Sequence, residues 1–144
     1  MNDTLIIVPT YNEIENVDPL SVAVCSACPT ADLLFVDDHS PDGTGERIDE
    51  LIQNNPRIHV LHRKTKAGLG RAYVAGFRWA LQREYRYIFE MDADLSHRPA
   101  DVPRLLEAAK GADIALGSRY VCGIRVVNWP LSRLVLSKGA AIYV

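Results

Sequence analysis

Asp92 and Asp94 stand one residue apart in the stretch EMDADLSHRP, directly after the apolar, aromatic run YRYIF. In an extended backbone, residues i and i+2 point to the same side, so both carboxylates can reach one cation. Oxygen-only ligands favour Mg²⁺ or Mn²⁺, which keep bound waters and take up substrate phosphates. Ser96, two residues further on, can add a hydroxyl or hold a metal-bound water. Asp-x-Asp alone is a weak motif, since a solvated acidic turn has the same letters.

Other groups with chemical potential flank this pair. Asp37 and Asp38, in VDDHSPDGTG, can accept hydrogen bonds from a nucleobase or ribose, or they can simply cap the turn that follows. The loop KAGLGRAYVAG contains Gly68 and Gly70 and opens a helix. A dinucleotide fingerprint belongs after the first strand, however, and its third glycine is replaced here by Tyr73. These glycines instead suit a tight turn or close approach to a ligand, with Lys66 and Arg71 near its phosphates. His39, His59, His62 and His97 show no metal spacing, and His97 reads as a surface turn residue. Ser40 and Ser118 have no evident base partner, which gives serine hydrolase chemistry no support. Cys25 and Cys28 form a CxxC, but no second pair completes a zinc site, and they fall late in an expected helix, where a redox pair gains no acidity. They read as packing residues.

The elements that must position these groups alternate regularly. Strands are expected at Leu5–Pro9, Leu33–Val36, Ile58–His62, Tyr85–Met91 and Asp113–Ser118. Helical spacing links Val17, Leu20, Val24 and Ala27. A second helix, capped by Thr44, runs through Ile48, Leu51 and Ile52, a third covers Gly70–Gln82, and a fourth covers Pro103–Lys110. Strands alternating with helices predict βαβ crossovers, hence an α/β fold with a mostly parallel sheet and helices on both faces. Ligands of such sheets sit at the carboxyl ends of the strands. Those ends carry Pro9-Thr10-Tyr11-Asn12-Glu13, Asp37-Asp38, the loop through Lys66 and Gly70, Asp92-Ala93-Asp94 and Ser118-Arg119-Tyr120. A sheet with a purely structural role has no reason to gather mutually repelling acids on one edge.

Bulk properties narrow the function classes. The 144 residues are 48% hydrophobic and 24% charged, with a net charge of −2. That is ordinary for one globular domain and gives no electrostatic reason to expect a nucleic-acid partner. The N-terminal MNDTLIIVPTYNE lacks a basic n-region and breaks at Pro9, so no signal peptide is read there. The expected location is the cytoplasm or the cytoplasmic face of a membrane. Residues 126–144 are apolar with isolated cations at Arg133 and Lys138. Crossing a bilayer takes roughly 20 mostly apolar residues, and these cations with Pro130 and Gly139 argue against a span. An amphipathic helix in the headgroup region and a helix packed on the sheet or on a partner both remain open.

PTYNE, VDDHSPDGTG, KAGLGRAYVAGF, MDADLSHRP and GSRYV follow one another in an order that resembles glycosyltransferase family 2, over nearly the whole chain. Within that family the dolichyl- or polyprenyl-phosphate mannosyltransferases are nearest. The resemblance implies a GT-A (Rossmann-like) fold over residues 1–124, with 125–144 beginning a longer C-terminal part. It implies a nucleotide-sugar donor, GDP-mannose in the nearest relatives, a polyprenyl or dolichyl phosphate acceptor, a membrane surface and Mg²⁺ or Mn²⁺. By the same resemblance Pro9, Tyr11, Glu13, Val36 and Asp38 contact the nucleoside. Asp92, Ala93, Asp94 and Ser96 line the metal and diphosphate, and Asp92, Asp94 and Arg119 form the catalytic set. Arg119, Arg133 and Ser137 hold donor or acceptor phosphate. Some relatives carry glutamine at position 96, so Ser96 is expected to reach the metal through water. The implied reaction is an inverting, metal-dependent mannosyl transfer. A UDP-sugar (glucose) transferase and a non-catalytic nucleotide-binding module are the alternatives.

Overall fold

Apolar runs without polar alternation predict strands covered on both faces, and the two central strands have that character. The computed structural model describes residues 2–117. In chain order these form β1 (Thr4–Thr10), α1 (Ile14–Ala27), β2 (Ala31–Asp37), α2 (Thr44–Asn54), β3 (Ile58–His62), α3 (Leu69–Leu81), β4 (Tyr87–Glu90), a 3₁₀ turn (Pro99–Asp101) and α4 (Val102–Ala109). The sheet order is β3-β2-β1-β4, and every pairing is parallel.

Side chains alternate between two cores. Ile6 and Val8 of β1 join Leu33 and Phe35 of β2 in one cluster with Val17, Leu20 and Val24 of α1, Ile48 of α2 and Val102 of α4. Leu5, Ile7, Leu34 and Val36 face the other way, onto Ala72 and Ala80 of α3. The split follows from topology. The crossovers β1→β2 and β2→β3 step one way along the sheet and place α1 and α2 on one face. The crossover β3→β4 must return past β1, and a right-handed connection in that direction lays α3 on the opposite face.

Two expectations need correction. A fifth strand was predicted over Asp113–Ser118, but residues 113–117 are unpaired and the described sheet has four strands. Ile114 and Leu116 carry the right alternation yet are 76% and 85% exposed; a strand needs a neighbouring edge as well as a pattern. Thr44 was predicted to cap the second helix, but it is the first helical residue, after Gly43. The N-cap position is Gly43, and Asp42 just before it accepts from the Thr44 amide at 3.0 Å. Ser118, Arg119, Arg133, Ser137 and the expected terminal helix lie outside the described residues.

α3 approaches β1 closely because Gly76 faces it. A Cβ added there would sit 2.7 Å from Cγ2 of Ile7 and 3.3 Å from Cγ2 of Val36, both on buried β-branched strand residues. Gly76→Ala therefore costs about 1–3 kcal/mol as overpacking and regains about 1 kcal/mol of helix propensity. Its urea unfolding midpoint is expected below the parent's. An equal or higher midpoint would show that α3 lifts away from β1 freely.

Candidate active site

Because all four strands run in one direction, the loops after β1, β2, β3 and β4 leave the sheet on one edge. Strand order reverses between β1 and β4, so the chain diverges to opposite faces there and leaves a crevice. A cleft of about 400 Å³ occupies this place. Of the residues read from sequence, Pro9, Thr10, Tyr11, Glu13, Asp38, Lys66, Gly68, Asp92, Ala93 and Asp94 line it, together with Leu69 and Ala72.

The loops around the cleft are tied to one another by acids. Asp37 accepts from Thr10 Oγ1 at 3.2 Å, Ser40 Oγ at 2.5 Å and the Ser40 amide at 3.1 Å, all without facing a ligand. Asp42 accepts from the Ile14 amide and from Thr44, while Thr44 Oγ1 accepts from the Glu13 amide. Burial pushes the Asp42 carboxyl up, but the hydrogen bonds from Thr44 and Ile14 outweigh it and hold it below the usual carboxylate range. These contacts bind the Thr10–Ile14 loop to the Asp37–Thr44 loop.

Asp38 ties down a third loop. Its side chain is only 6% exposed and pairs with Arg63, while Oδ2 accepts from the amides of Ala67 at 3.0 Å and Gly68 at 3.2 Å. Gly68 has φ +92° and ψ 160°, a conformation open essentially to glycine alone. The loop so held carries Lys66, whose Nζ lies 3.5 Å from the centroid of the Tyr11 ring. Lys66 and Tyr11 thus meet as a cation–π pair on the cleft wall. Arg71, predicted near phosphates with Lys66, is exposed and is not part of that wall.

Asp92 and Asp94 follow β4, but their geometry differs from the extended arrangement read from the sequence. The chain turns at Ala93–Asp94, and Leu95 adopts φ +59°. Asp92 and Asp94 both line the cleft, and Ala93 between them is buried. Asp94 Oδ1 accepts from the Ser96 amide at 2.9 Å. Hydrogen bonds from Ser96, against the opposing effect of burial, hold the Asp94 carboxyl below its usual range, so it is ionised at neutral pH. Asp92 is engaged by Tyr73, whose hydroxyl lies 3.4 Å from Oδ1, and by His97, whose Nδ1 accepts the Asp92 amide at 3.2 Å. Asn12 and His39 also take left-handed backbone, at φ +58° and +61°. The three non-glycine residues of this kind among those described therefore all lie in loops at the carboxyl edge, where strain is held by surrounding contacts.

The donor set can be tested against a metal. Among the described residues no three His, Cys, Asp or Glu side chains converge as a metal cage. Two carboxylates in an open cleft leave most coordination positions to water and to ligand oxygens. This suits Mg²⁺ or Mn²⁺ held jointly with a diphosphate and does not suit a structural ion.

Val36 is fully buried in the α3-side core, and only its backbone is near the edge; Ser96 is exposed and does not line the cleft. Nothing in the sequence points to Arg63, Tyr73 reads there only as the residue in place of a fingerprint glycine, and His97 reads as a surface turn residue. His97 had a cue, five residues after Asp92. Arg63 and Tyr73 had none, because their partners are 25 and 19 residues distant along the chain. Cys28 is buried and Cys25 partly so, both free thiols, and burial pushes the Cys28 thiol up, as a packing residue requires.

Residues 5–142 fit the model of "Glycosyl transferase family 2". The chain is 57% identical over 142 residues to a polyprenol monophosphomannose synthase of Mycolicibacterium smegmatis, covering 97% of this chain and 54% of that protein. It is 54% identical to an undecaprenyl-phosphate mannosyltransferase of Micrococcus luteus, covering 96% and 57% respectively. The chain thus spans just over half the length of each. Among solved structures it is similar to the mannosyltransferase PcManGT of Pyrobaculum calidifontis in complex with GDP-Man and Mn²⁺. That likeness has a TM-score of 0.50 at 22% identity, covers 54% of this chain and 24% of the other, and concerns the fold alone. With its parallel sheet, helices on both faces and cleft at the strand-order reversal, the fold is GT-A, and the chain belongs to glycosyl transferase family 2.

Proposed function

We propose that the full-length protein transfers mannose from GDP-mannose to the phosphate of a polyprenyl or dolichyl monophosphate, with inversion at the anomeric carbon and with Mg²⁺ or Mn²⁺. The observation that carries this reading is the difference among the cleft's acids. Asp38 has an arginine and two amides, whereas among the described residues Asp94 has no lysine or arginine within ion-pair distance and Asp92 has only His97 there, with the Tyr73 hydroxyl near its other oxygen. Two carboxylates without a lysine or arginine beside a nucleotide-sized cleft call for a cation that arrives with the ligand. The names of the relatives support the choice of sugar and acceptor. The Pyrobaculum protein, alike in fold only, marks GDP-mannose with Mn²⁺ as the combination to try first.

In this reading Asp92 and Asp94 hold the ion, and Ser96 fixes Asp94 through its amide. Bound there, a divalent cation supplies Lewis-acid stabilisation of the charge growing on the departing diphosphate. Tyr11 offers its ring to the nucleoside once Lys66 moves off its face, and Lys66 is then free to meet a phosphate oxygen. Pro9, Glu13 and the Val36 backbone complete the nucleoside wall. The cleft needs no general base, because a phosphomonoester has a second pKa of about 6 and is already a nucleophilic anion at neutral pH. Arg119, Arg133 and Ser137 are proposed to neutralise and align that acceptor phosphate. The segment over 125–144 is proposed to lie against the membrane surface; no described helix is long and apolar enough to cross one.

Asp94→Ala is expected to abolish metal-dependent donor binding while the circular dichroism spectrum is retained; unchanged affinity for GDP-mannose would remove Asp94 from the metal site. In a calorimetric titration with Mn²⁺, GDP is expected to bind and UDP not to. Tight UDP binding with none for GDP would move the donor to a UDP-sugar such as UDP-glucose. Incubated with radiolabelled GDP-mannose, a short-chain polyprenyl phosphate and Mn²⁺, the full-length protein is expected to yield lipid-linked mannose. Donor binding without product would leave a nucleotide-binding module that lacks catalysis.

A further inference from the structure

The two metal-facing carboxylates are held in different ways. Asp94 is fixed locally, by the amide of Ser96 within its own turn. Asp92 is gripped by two side chains from different places. Tyr73 comes from α3, on the far face of the sheet, and its hydroxyl reaches Oδ1. The 3.4 Å separation is long for an O–H···O bond. His97 comes from the turn beyond the motif. Its Nδ1 accepts the Asp92 amide at 3.2 Å, and its Nε2 lies 3.8 Å from Oδ2.

Tyr73 is well placed for such a role. It packs among the α3-side apolar cluster with its ring 6.4 Å from that of Phe77, so the hydroxyl has little freedom of direction. A carboxylate offers about four lone-pair sites. With the Tyr73 hydroxyl near one oxygen and His97 Nε2 3.8 Å from the other, the remaining lone pairs are those left for a cation in the cleft.

We propose that Tyr73 and His97 are positioning residues for the divalent cation: together they fix the side chain and backbone of Asp92 so that its free lone pairs are aimed before the ion binds. This rests on the metal-dependent reading above and adds what sets the ion's affinity. Outer partners of metal-bound carboxylates typically govern affinity by about 10–100-fold. Tyr73 also links the ion site to β1 through α3, so the packing around Gly76 and the aim of Asp92 belong to one rigid unit.

The test is Mn²⁺ affinity in the full-length protein with GDP present, read from the electron paramagnetic resonance signal of free Mn²⁺. Tyr73→Phe and His97→Phe are each expected to weaken Mn²⁺ binding by about 10-fold or more, with the thermal midpoint in metal-free buffer unchanged. His97→Asn, whose amide oxygen can replace Nδ1 as the acceptor of the Asp92 amide, is expected to recover most of the loss. The inference is overturned if Asp92→Ala abolishes binding while both phenylalanine variants stay within twofold of the parent. It is likewise overturned if the losses occur only where the metal-free midpoint falls too. A parent that takes up no Mn²⁺ with GDP would instead sink the metal-dependent reading, and this inference with it.

Discussion

β1 is paired in parallel on both sides, with Thr10 opposite Asp37 across one seam and Ile7 opposite Glu90 across the other. Everything at the candidate site depends on that register. Parallel pairing sends the chain out of the sheet on one edge after each strand, so residues far apart in sequence are delivered to one place. The strand order then separates α1 and α2 from α3, and the divergence leaves the crevice above β1. A slip of one residue in β1 would exchange the Ile6/Val8 and Leu5/Ile7 faces and bury the wrong side chains in both cores. The fully buried β1 and β2 thus fix the location of the cleft as firmly as they fix the fold.

Converging loops bring a charge problem with them, and the acids at this edge resolve it in two ways. Asp37, Asp38 and Asp42 are saturated by hydroxyls, amides and Arg63, and they serve as ties between loops. Glu13, Asp92 and Asp94 line the cleft with lone pairs to spare. Buried carboxylates are tolerable when satisfied, and each satisfied one here makes a neighbouring loop more rigid. The left-handed residues Asn12 and His39 sit within these ties, and Leu95 sits within the separate Asp94–Ser96 contact, where unfavourable backbone can be held in place. An acidic edge so built is compatible with the proposed cation shared with an anionic ligand.

Much of this was legible in the residues. β3 was bounded correctly at Ile58–His62, and the other strands that formed fell within a few residues of their apolar runs, because continuous burial leaves an unmistakable pattern. Asp92 and Asp94 were legible as a pair, although the reason given, an extended backbone, was replaced by a turn. The expected strand at Asp113–Ser118 failed over residues 113–117, since alternation records a preference and cannot supply a pairing edge. Asp38 could be read as a turn acid or a ligand contact, and the structure gives it a third duty, holding the Arg63–Gly68 loop. Arg63 and Tyr73 were out of reach, because nothing local marks a side chain whose partner arrives by crossover.

The central claim is that the cleft at the carboxyl edge takes a nucleotide and a divalent cation together on Asp92 and Asp94. The most direct measurement is a crystal structure of the full-length protein grown with GDP and Mn²⁺, with diffraction recorded at the manganese absorption edge. The account predicts one anomalous peak bridging the Asp92–Asp94 turn and the GDP diphosphate, with the guanosine lying along the Tyr11 wall. GDP seated elsewhere, or a nucleotide in the cleft with manganese on neither carboxylate, would contradict it.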